Sequence, residues 1–591
     1  MLFSFAISFL PSIGLVFLAL LLLYYLSTRK PSDFPPGPAW LPVLGAALEI
    51  DELRKKTGYF SEACNALGAK YGPVIGLKIG VDKVIILNDF KSMKAMAAND
   101  ACDGRPVGPV YETRTFGKRR GLLVVDGNLW VQQRRFILRH LREFGWGRTD
   151  MAIQIEHEAS QLVQYYGRLI DTKAQSFQID DCNDDNNNDD DDAENRRTLE
   201  KTDEERRYES ALGKIEKTEK RGDVGREPAK RSLTAEDFYV KVKHRELLKE
   251  AGQGAKLSGI IVEMEDFFGV PVLNALWTMM AGKRYNVDDQ ELIYLQRIFT
   301  SLLRDVDMIG CLFQHFPVLK YLAPDKSGYN NFLKTHEKVW QFIKRELENH
   351  KKTYNRDCPR DLMDVYLKAL ESDENLDETF SEAQLLAICV DLFIAGSETS
   401  SKALGFGFLF LVLYPEVQRK AQEEIDAVIG RDRLPSLNDR PNMTYLNAVV
   451  MESLRMFMGR TMNVPHRATR DTQLMGYTIP KDSMIVVNFN RILMNDFWGD
   501  PEVFRPERFI DEAGKIVTPE QFAPFGIGRH RCMGETLAKG NLFVITAALL
   551  QNFTFSPVPG ETPPRNAYTD GVTACPVPYR VLMTKRAHTV N

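Results

Sequence analysis

Between Phe525 and Gly534 the chain reads Phe-Gly-Ile-Gly-Arg-His-Arg-Cys-Met-Gly, a lone cysteine set among glycines and three basic side chains. Positive charge and unpaired backbone N–H groups favour the anion of a thiol, so Cys532 is a thiolate candidate. The apolar run Leu542 to Leu550 predicts a buried helix, which puts the cysteine on a Gly-rich turn at a helix N-terminus, where the peptide dipole again favours negative charge. Such a sulfur suits a metal. A cysteine taken alone is more often a buried structural residue, and the ten-residue context is what outweighs that reading. A second stretch, Leu385 to Leu413, is apolar for longer than a common helix but is interrupted by Ala395-Gly396-Ser397-Glu398-Thr399-Ser400. Glycine and hydroxyl residues weaken the helical ladder and let a ligand approach closely. Trp130 and Arg134 share one face if helical, and Glu452 and Arg455 can pair along another, although pairs at these spacings are common and mean little alone.

The elements that must position these groups follow from composition. With 591 residues the chain exceeds a usual domain, but 44% hydrophobic content, 34 Phe and 20 Tyr support one large core, and no repeat suggests a solenoid. A net charge of −4 implies no preference for nucleic acid, and eight scattered cysteines without a Cys-x-x-Cys pair exclude a zinc site or disulfide scaffold. The body should therefore face a reducing compartment. Leu2 to Leu26 carries no charge and as a helix would span about 37 Å, enough to cross a bilayer. Arg29 and Lys30 follow it, so residues 1–28 read as an uncleaved signal anchor with its N-terminus in the lumen. A second membrane helix at Leu385 to Leu413 is disfavoured, since Asp391, Glu398 and Lys402 would lie in lipid. Residues 29–45, with Phe34-Pro35-Pro36-Gly37-Pro38, form a stiff hinge. Residues 73–79 and 83–87 predict a hairpin. From about 174 to 258 the chain is charge-rich, and between Asp180 and Asp192 every residue but Cys182 is Asp or Asn, so a disordered insertion is expected there. Helix is expected to resume over Ile260 to Met280, and Phe316 to Leu322 is an apolar connector between helical runs that by composition reads as a core-packing turn.

Phe-x-x-Gly-x-(basic)-x-Cys-x-Gly resembles the haem-binding loop of the cytochrome P-450 superfamily, with Phe525, Gly528, His530, Cys532 and Gly534 at its positions. Four further stretches match in order: Trp-x-x-x-Arg at Trp130 and Arg134, Ala-Gly-x-Glu-Thr at Ala395 to Thr399, Glu-x-x-Arg at Glu452 and Arg455, and Pro-Glu-Arg-Phe holding Arg508. The resemblance implies a mainly α fold with small β-sheets, a haem-thiolate monooxygenase domain over 46–591 on an N-terminal transmembrane anchor. It implies haem b held by Cys532, with Trp130, Arg134 and His530 on its propionates, and a buried Glu452–Arg455–Arg508 set behind it. Neutral His530 would still donate one hydrogen bond. Glu398 and Thr399 would deliver protons to bound oxygen, the haem would carry the oxidation, and the thiolate would favour O–O cleavage.

The anchor and the loop resemble those of microsomal animal members, insect ones especially, which implies an endoplasmic reticulum membrane protein with a cytosolic body, and as the alternative for residues 316–322 a segment that lines the substrate channel and dips into the membrane. The protein would act on an ecdysteroid-like steroid, a fatty acid or a xenobiotic. Electrons would come from NADPH through a diflavin reductase, with a cytochrome b-type protein as a further donor, docking on Arg135, Arg139, Arg529 and Arg531. Phe393, Ala395, Val464, Val572 and Thr573, all apolar or small, are the expected pocket lining. The alternatives are a haem-thiolate isomerase or dehydratase, which needs no proton relay, and a non-enzymatic haem-binding membrane protein.

Overall fold

A computed structural model describes residues 24, 28–147, 149–177, 257–372 and 379–586. The expected membrane anchor over 2–26 and the Asp/Asn-rich stretch lie outside the described residues.

The helices that matter for the site are α1 (Ala47–Thr57), α2 (Phe60–Tyr71), α3 (Phe90–Ala97), α4 (Gly127–Glu143), α5 (Thr149–Lys173), α6 (Gly269–Ala281), α7 (Gln290–Asp305), α8 (Tyr329–Lys352), α9 (Leu362–Glu371), α10 (Glu382–Leu413), α11 (Pro415–Val428), α12 (Thr444–Met458) and α13 (Glu535–Asn552). The strands are β1 (Val74–Ile79), β2 (Asp82–Leu87), β3 (Gln175–Phe177), β4 (Leu257–Glu263), β5 (His466–Arg467), β6 (Met484–Val487), β7 (Phe553–Ser556), β8 (Tyr568–Thr569), β9 (Cys575–Pro576) and β10 (Arg580–Lys585), besides a small hairpin over 472–479. One four-stranded sheet has the order β1-β2-β6-β5, a second β3-β4-β10-β7, and β8-β9 form a separate pair. The expected hairpin is β1–β2, antiparallel with Val74 opposite Leu87. Helices dominate and the sheets are small, as the resemblance implied.

The helices form because apolar residues recur on one face and because their ends are capped. Ser381 accepts from the N–H of Gln384 to open α10, and Pro415 closes it by lacking a donor. Both α10 and α13 are buried over most of their circumference, so they are the central posts of the core, with α6 and α12 packed on α10. Among the described helices, α10 alone is long and apolar enough to cross a membrane, but it is 72% buried within the fold. It is a core helix.

Two boundary expectations are corrected. Ile260 does not begin a helix: Ile260–Glu263 lie in β4, which pairs with β10, Leu582 facing Ile261, and α6 starts only at Gly269. The two ends of the 174–258 segment are likewise ordered strands, since β3 pairs with β4 through Gln175 opposite Gly259. In each case the cause is a partner strand distant in sequence, β10 for β4 and β4 for β3, which local composition cannot reveal.

Candidate active site

Cys532 is held in a tight loop ahead of α13. Its backbone N–H donates to the Phe525 carbonyl at 2.9 Å, closing the loop, and Gly528 makes the close approach to α3 possible. At Gly528 φ is +77°, and a Cβ there would sit 3.1 Å from the Ala97 Cβ, so a side chain would be strained twice over. The Cys532 side chain opens onto a cavity of about 330 Å³. Sharing that cavity are Phe525, Trp130, Arg134 and His530 near the cysteine loop, Ala395, Gly396 and Thr399 of α10, Val464 before β5, and Val572 and Thr573 between β8 and β9.

The thiol does not behave as the loop's composition suggested. Burial pushes the Cys532 pKa up, the N–H groups of Gly534 and Glu535 and the Arg134 charge pull it back, and the Glu535 carboxylate raises it further. The neighbouring cations are diverted: Arg531 pairs with Glu535 at 2.7 Å and Arg529 with Asp103 at 2.7 Å. A thiol in this state becomes a thiolate when a cation binds the sulfur, which is what a metal does.

Beside the cysteine loop Arg134 lies 5.3 Å over the Trp130 ring, and its Nη2 donates to the Arg531 carbonyl at 3.0 Å. The shared helix face expected for this pair is present on α4. His530 stacks against Trp130 with ring centroids 4.2 Å apart. Its pKa is lowered to about 3, chiefly by burial and then by the Arg105 charge, so the ring is neutral. The single N–H of that ring points at the Asp103 carbonyl, 2.9 Å from Nε2. His530 is therefore not free to donate into the cavity, contrary to expectation, because the Asp103 carbonyl accepts its one N–H.

Arg105 and His466 also line the cavity and were not found by sequence reasoning. Arg105 is buried, donates through Nη1 to the Val464 and Pro465 carbonyls, and keeps an Nε–H without partner. His466, its pKa lowered well below the usual range by burial, donates Nδ1–H to the Cys102 carbonyl at 2.8 Å and stacks edge-on to His530. Neither sits in a recognisable motif; only the fold brings them beside Trp130.

On α10 the acid and the alcohol separate. Thr399 faces the cavity and donates to the Ala395 carbonyl at 2.8 Å, leaving its oxygen lone pairs free. Glu398 does not line the cavity: Thr300 of α7 donates to its Oε2 at 2.9 Å and Lys402 Nζ stands 4.0 Å from Oε1. Side chains one position apart on a helix point about 100° apart, so both cannot face one ligand. Phe393 is also misassigned; it packs against Trp277 and Phe342 in the core, while Ala395, Val464, Val572 and Thr573 do line the cavity.

Behind the loop, Glu452 binds Arg455 Nε at 2.7 Å and Nη2 at 2.8 Å, and Arg508 Nε at 3.0 Å. Glu452 and Arg455 are fully buried and Arg508 nearly so. The expected buried triad exists as a contact.

The outer surface bears on partners. Arg135 and Arg139 are exposed, but three of the four expected docking arginines carry an acid: Arg139 with Glu143, Arg529 with Asp103 and Arg531 with Glu535. The connector over 316–322 is not a core turn, since Tyr321 and Leu322 are 76% and 75% exposed. It adjoins the hinge through Val81 N–H to the His315 carbonyl and Gly80 N–H to the Leu44 carbonyl, and there Leu41, Val43 and Leu48 are exposed too.

Comparison with known proteins agrees with this geometry. The family model described as Cytochrome P450 matches residues 35–182 and 237–583, its gap falling inside the charge-rich segment. A probable cytochrome P450 303a1 of Drosophila melanogaster is 39% identical over 574 residues, covering 96% of this chain and 97% of the relative. A farnesoate epoxidase of Bombyx mori is 28% identical over 576 residues, 97% and 99% of the two chains. Cytochrome P450 2J1 of Oryctolagus cuniculus is 30% identical over 570 residues, 95% and 94%.

Proposed function

Since the chain belongs to the cytochrome P450 family and is a haem-binding monooxygenase of that family, we propose that it inserts one oxygen atom from O2 into a lipophilic substrate, using electrons from NADPH delivered by a reductase. The observation that carries the reading is Cys532 opening onto a cavity that the small-residue stretch Ala395–Gly396 and Thr399 also line.

The residues present fit a haem. A lone sulfur, apolar walls, and a cluster of donors at one end, including the unpartnered Arg105 Nε–H, match a planar apolar macrocycle with anionic side arms. Cys532 Sγ would hold the iron, and Arg105, Trp130 and Arg134 would hold the propionates, with His466 and His530 packed as neutral rings beside them. Bound there, the haem would supply the oxidation of substrate by O2.

The chain's own groups do the rest. Thr399 would hold a water or hydroxyl proton at its free lone pairs, its own O–H being anchored on Ala395. Glu398, kept by Thr300 and Lys402 behind the helix, would act through water rather than by direct contact. Leu122, Met308 and Val572 would exclude bulk solvent and orient an apolar substrate. The exposed apolar hinge and connector support a membrane surface, and hence an endoplasmic reticulum location with substrate entering from lipid. Arg135, Arg139, Arg529 and Arg531 offer a face for an acidic reductase or a cytochrome b-type donor, weakened by their own ion pairs. The Bombyx mori relative is named for epoxidising farnesoate; sesquiterpenoids therefore join ecdysteroids, fatty acids and xenobiotics as substrates to test.

The test is reconstitution with an NADPH-cytochrome reductase in lipid, scoring NADPH- and O2-dependent product across those four substrate classes. Product from at least one class supports the reading. Turnover independent of NADPH would favour an isomerase and refute it.

A further inference from the structure

Two polar groups in the cavity wall have no protein partner, and from them we propose that the site takes a neutral, oxygen-bearing lipid held by Thr573 and Asn463 and rejects the corresponding free acid. This rests on the monooxygenase reading above and specifies its substrate.

Thr573 lines the cavity, and its Oγ1 is buried with no hydrogen bond among the described residues. The segment that carries it is clipped in place. The Val572 N–H donates to the Leu303 carbonyl of α7 at 2.8 Å. Gly571, with φ +156°, runs so close beneath that a Cβ there would lie 2.4 Å from the same oxygen. Asn463, across the cavity wall before β5, accepts from the Val487 N–H through Oδ1 at 2.6 Å. An N–H can only donate to the amide oxygen, so the orientation is fixed and the Nδ2 donors are the free end. They meet no acceptor among the described residues.

A buried hydroxyl without a partner is costly, and such groups in native proteins are matched by water or ligand. In the same lining Leu122, Met308, Leu392, Val464 and Val572 carry no polar side chain. A carbonyl or hydroxyl oxygen on the ligand would complete both groups.

Charge decides between a neutral oxygen function and a carboxylate. The lining cations Arg105, Arg134 and Arg531 belong to the end shared with Trp130 and Cys532, where the haem side arms need them. The charged lining group of α10 is Asp391, already bound by Arg114 and by the N–H groups of Leu122 and Leu123. A carboxylate ligand would thus be desolvated with no free cation to meet it and with Asp391 in the same cavity. An ester, ketone or alcohol carries no such penalty.

The experiment is equilibrium dialysis of the full-length, haem-loaded protein against methyl laurate, laurate and dodecane, with Thr573→Val, Asn463→Leu and Thr573→Ser variants. We expect methyl laurate to bind at least about 10-fold more tightly than laurate, since an unpaired buried charge costs more than a neutral polar group. Thr573→Val should weaken the ester by about 5- to 10-fold and Asn463→Leu by a similar factor, with dodecane unchanged within about 2-fold. Thr573→Ser should keep the wild-type affinity. Laurate binding as tightly as its ester, ester affinity indifferent to both hydroxyl and amide removal, or a Ser variant as weak as Val would each overturn the proposal; indifference would mean that water alone occupies these groups. The haem absorption spectrum is read separately, so loss of the thiolate signature would strike the monooxygenase reading and not this one.

Discussion

Replacing Glu452 by Gln should be among the most damaging single changes in the chain, although it alters no atom that faces the cavity. Oε1 accepts from Arg455 Nη2 at 2.8 Å, from Arg508 Nε at 3.0 Å and from the Arg505 N–H at 3.0 Å, and Oε2 accepts from Arg455 Nε at 2.7 Å. The amide keeps the shape but removes the charge and turns a donor toward a donor. Arg508, 5% exposed, would then keep only Asp500 as an acid, and the fully buried Arg455 would keep none among the described residues. At an effective dielectric near 20, unit charges about 4 Å apart attract by about 4 kcal/mol, and breaking a buried pair is expected to cost about 3–5 kcal/mol. Set against a total domain stability of about 5–15 kcal/mol, that is a large share. Trp498 is the reporter: Arg455 lies 5.4 Å over its ring and Arg508 donates to its carbonyl. The assay is urea unfolding followed by tryptophan fluorescence, with Glu291→Gln as control, because Glu291 meets Arg345 on the surface with both half exposed. The control should lose at most about 1 kcal/mol. A Glu452→Gln protein no less stable than the control would refute the reasoning.

Thr399→Ala should retain haem and NADPH oxidation but release more hydrogen peroxide per product, because a positioned proton donor or holder contributes about 10²–10⁴-fold to such steps; an unchanged product-to-peroxide ratio would reduce Thr399 to a helix residue bonding Ala395. His350 lies 2.8 Å from Asp364 and 3.1 Å from Asp361. Burial alone would lower its pKa, but the two carboxylates outweigh it and the net shift is upward. Its stabilising charge is thus fully present below the usual value near 6.5 and lost as pH rises through the raised one, so His350→Gln should lower Tm at pH 5.5 and converge on the parent above pH 8. Equal deficits at both pH values would contradict the ion pair. Excising 180–254 with a short Gly/Ser bridge, which keeps the β3–β4 pairing, should leave haem content and Tm nearly unchanged, since closure entropy varies slowly with length; haem loss would show that the segment contributes to the core.

How much was legible depended on whether the information is local. The cysteine loop, the Trp130–Arg134 face and the Glu452–Arg455 pair are set by spacing along one turn or helix, and the sequence identifies them. Arg508 was placed only by the family pattern, since nothing local ties it to Glu452. The side chains decided by distant partners were misread. Glu398 turns away from the cavity because Thr300 and Lys402 hold it, and His530 donates its N–H to the backbone carbonyl of Asp103, a residue more than 400 positions earlier. Phe393 is apolar and near the motif, yet helix phase sends it to Trp277. Ile260 to Glu263 are apolar enough for helix or strand, and only pairing with β10 decides. Arg105 and His466 escaped notice because a lone Arg or His carries no signal until the fold buries it, which at Arg105 also leaves an N–H without partner.

The most direct test of the central claim is the absorption spectrum of the reduced, CO-bound protein, taken for the parent and for Cys532→His. Thiolate ligation by Cys532 predicts a red-shifted Soret band in the parent and its loss in the variant, with haem still bound by absorbance. A parent without that band, or a variant that keeps it, would contradict the assignment of Cys532 as the iron ligand.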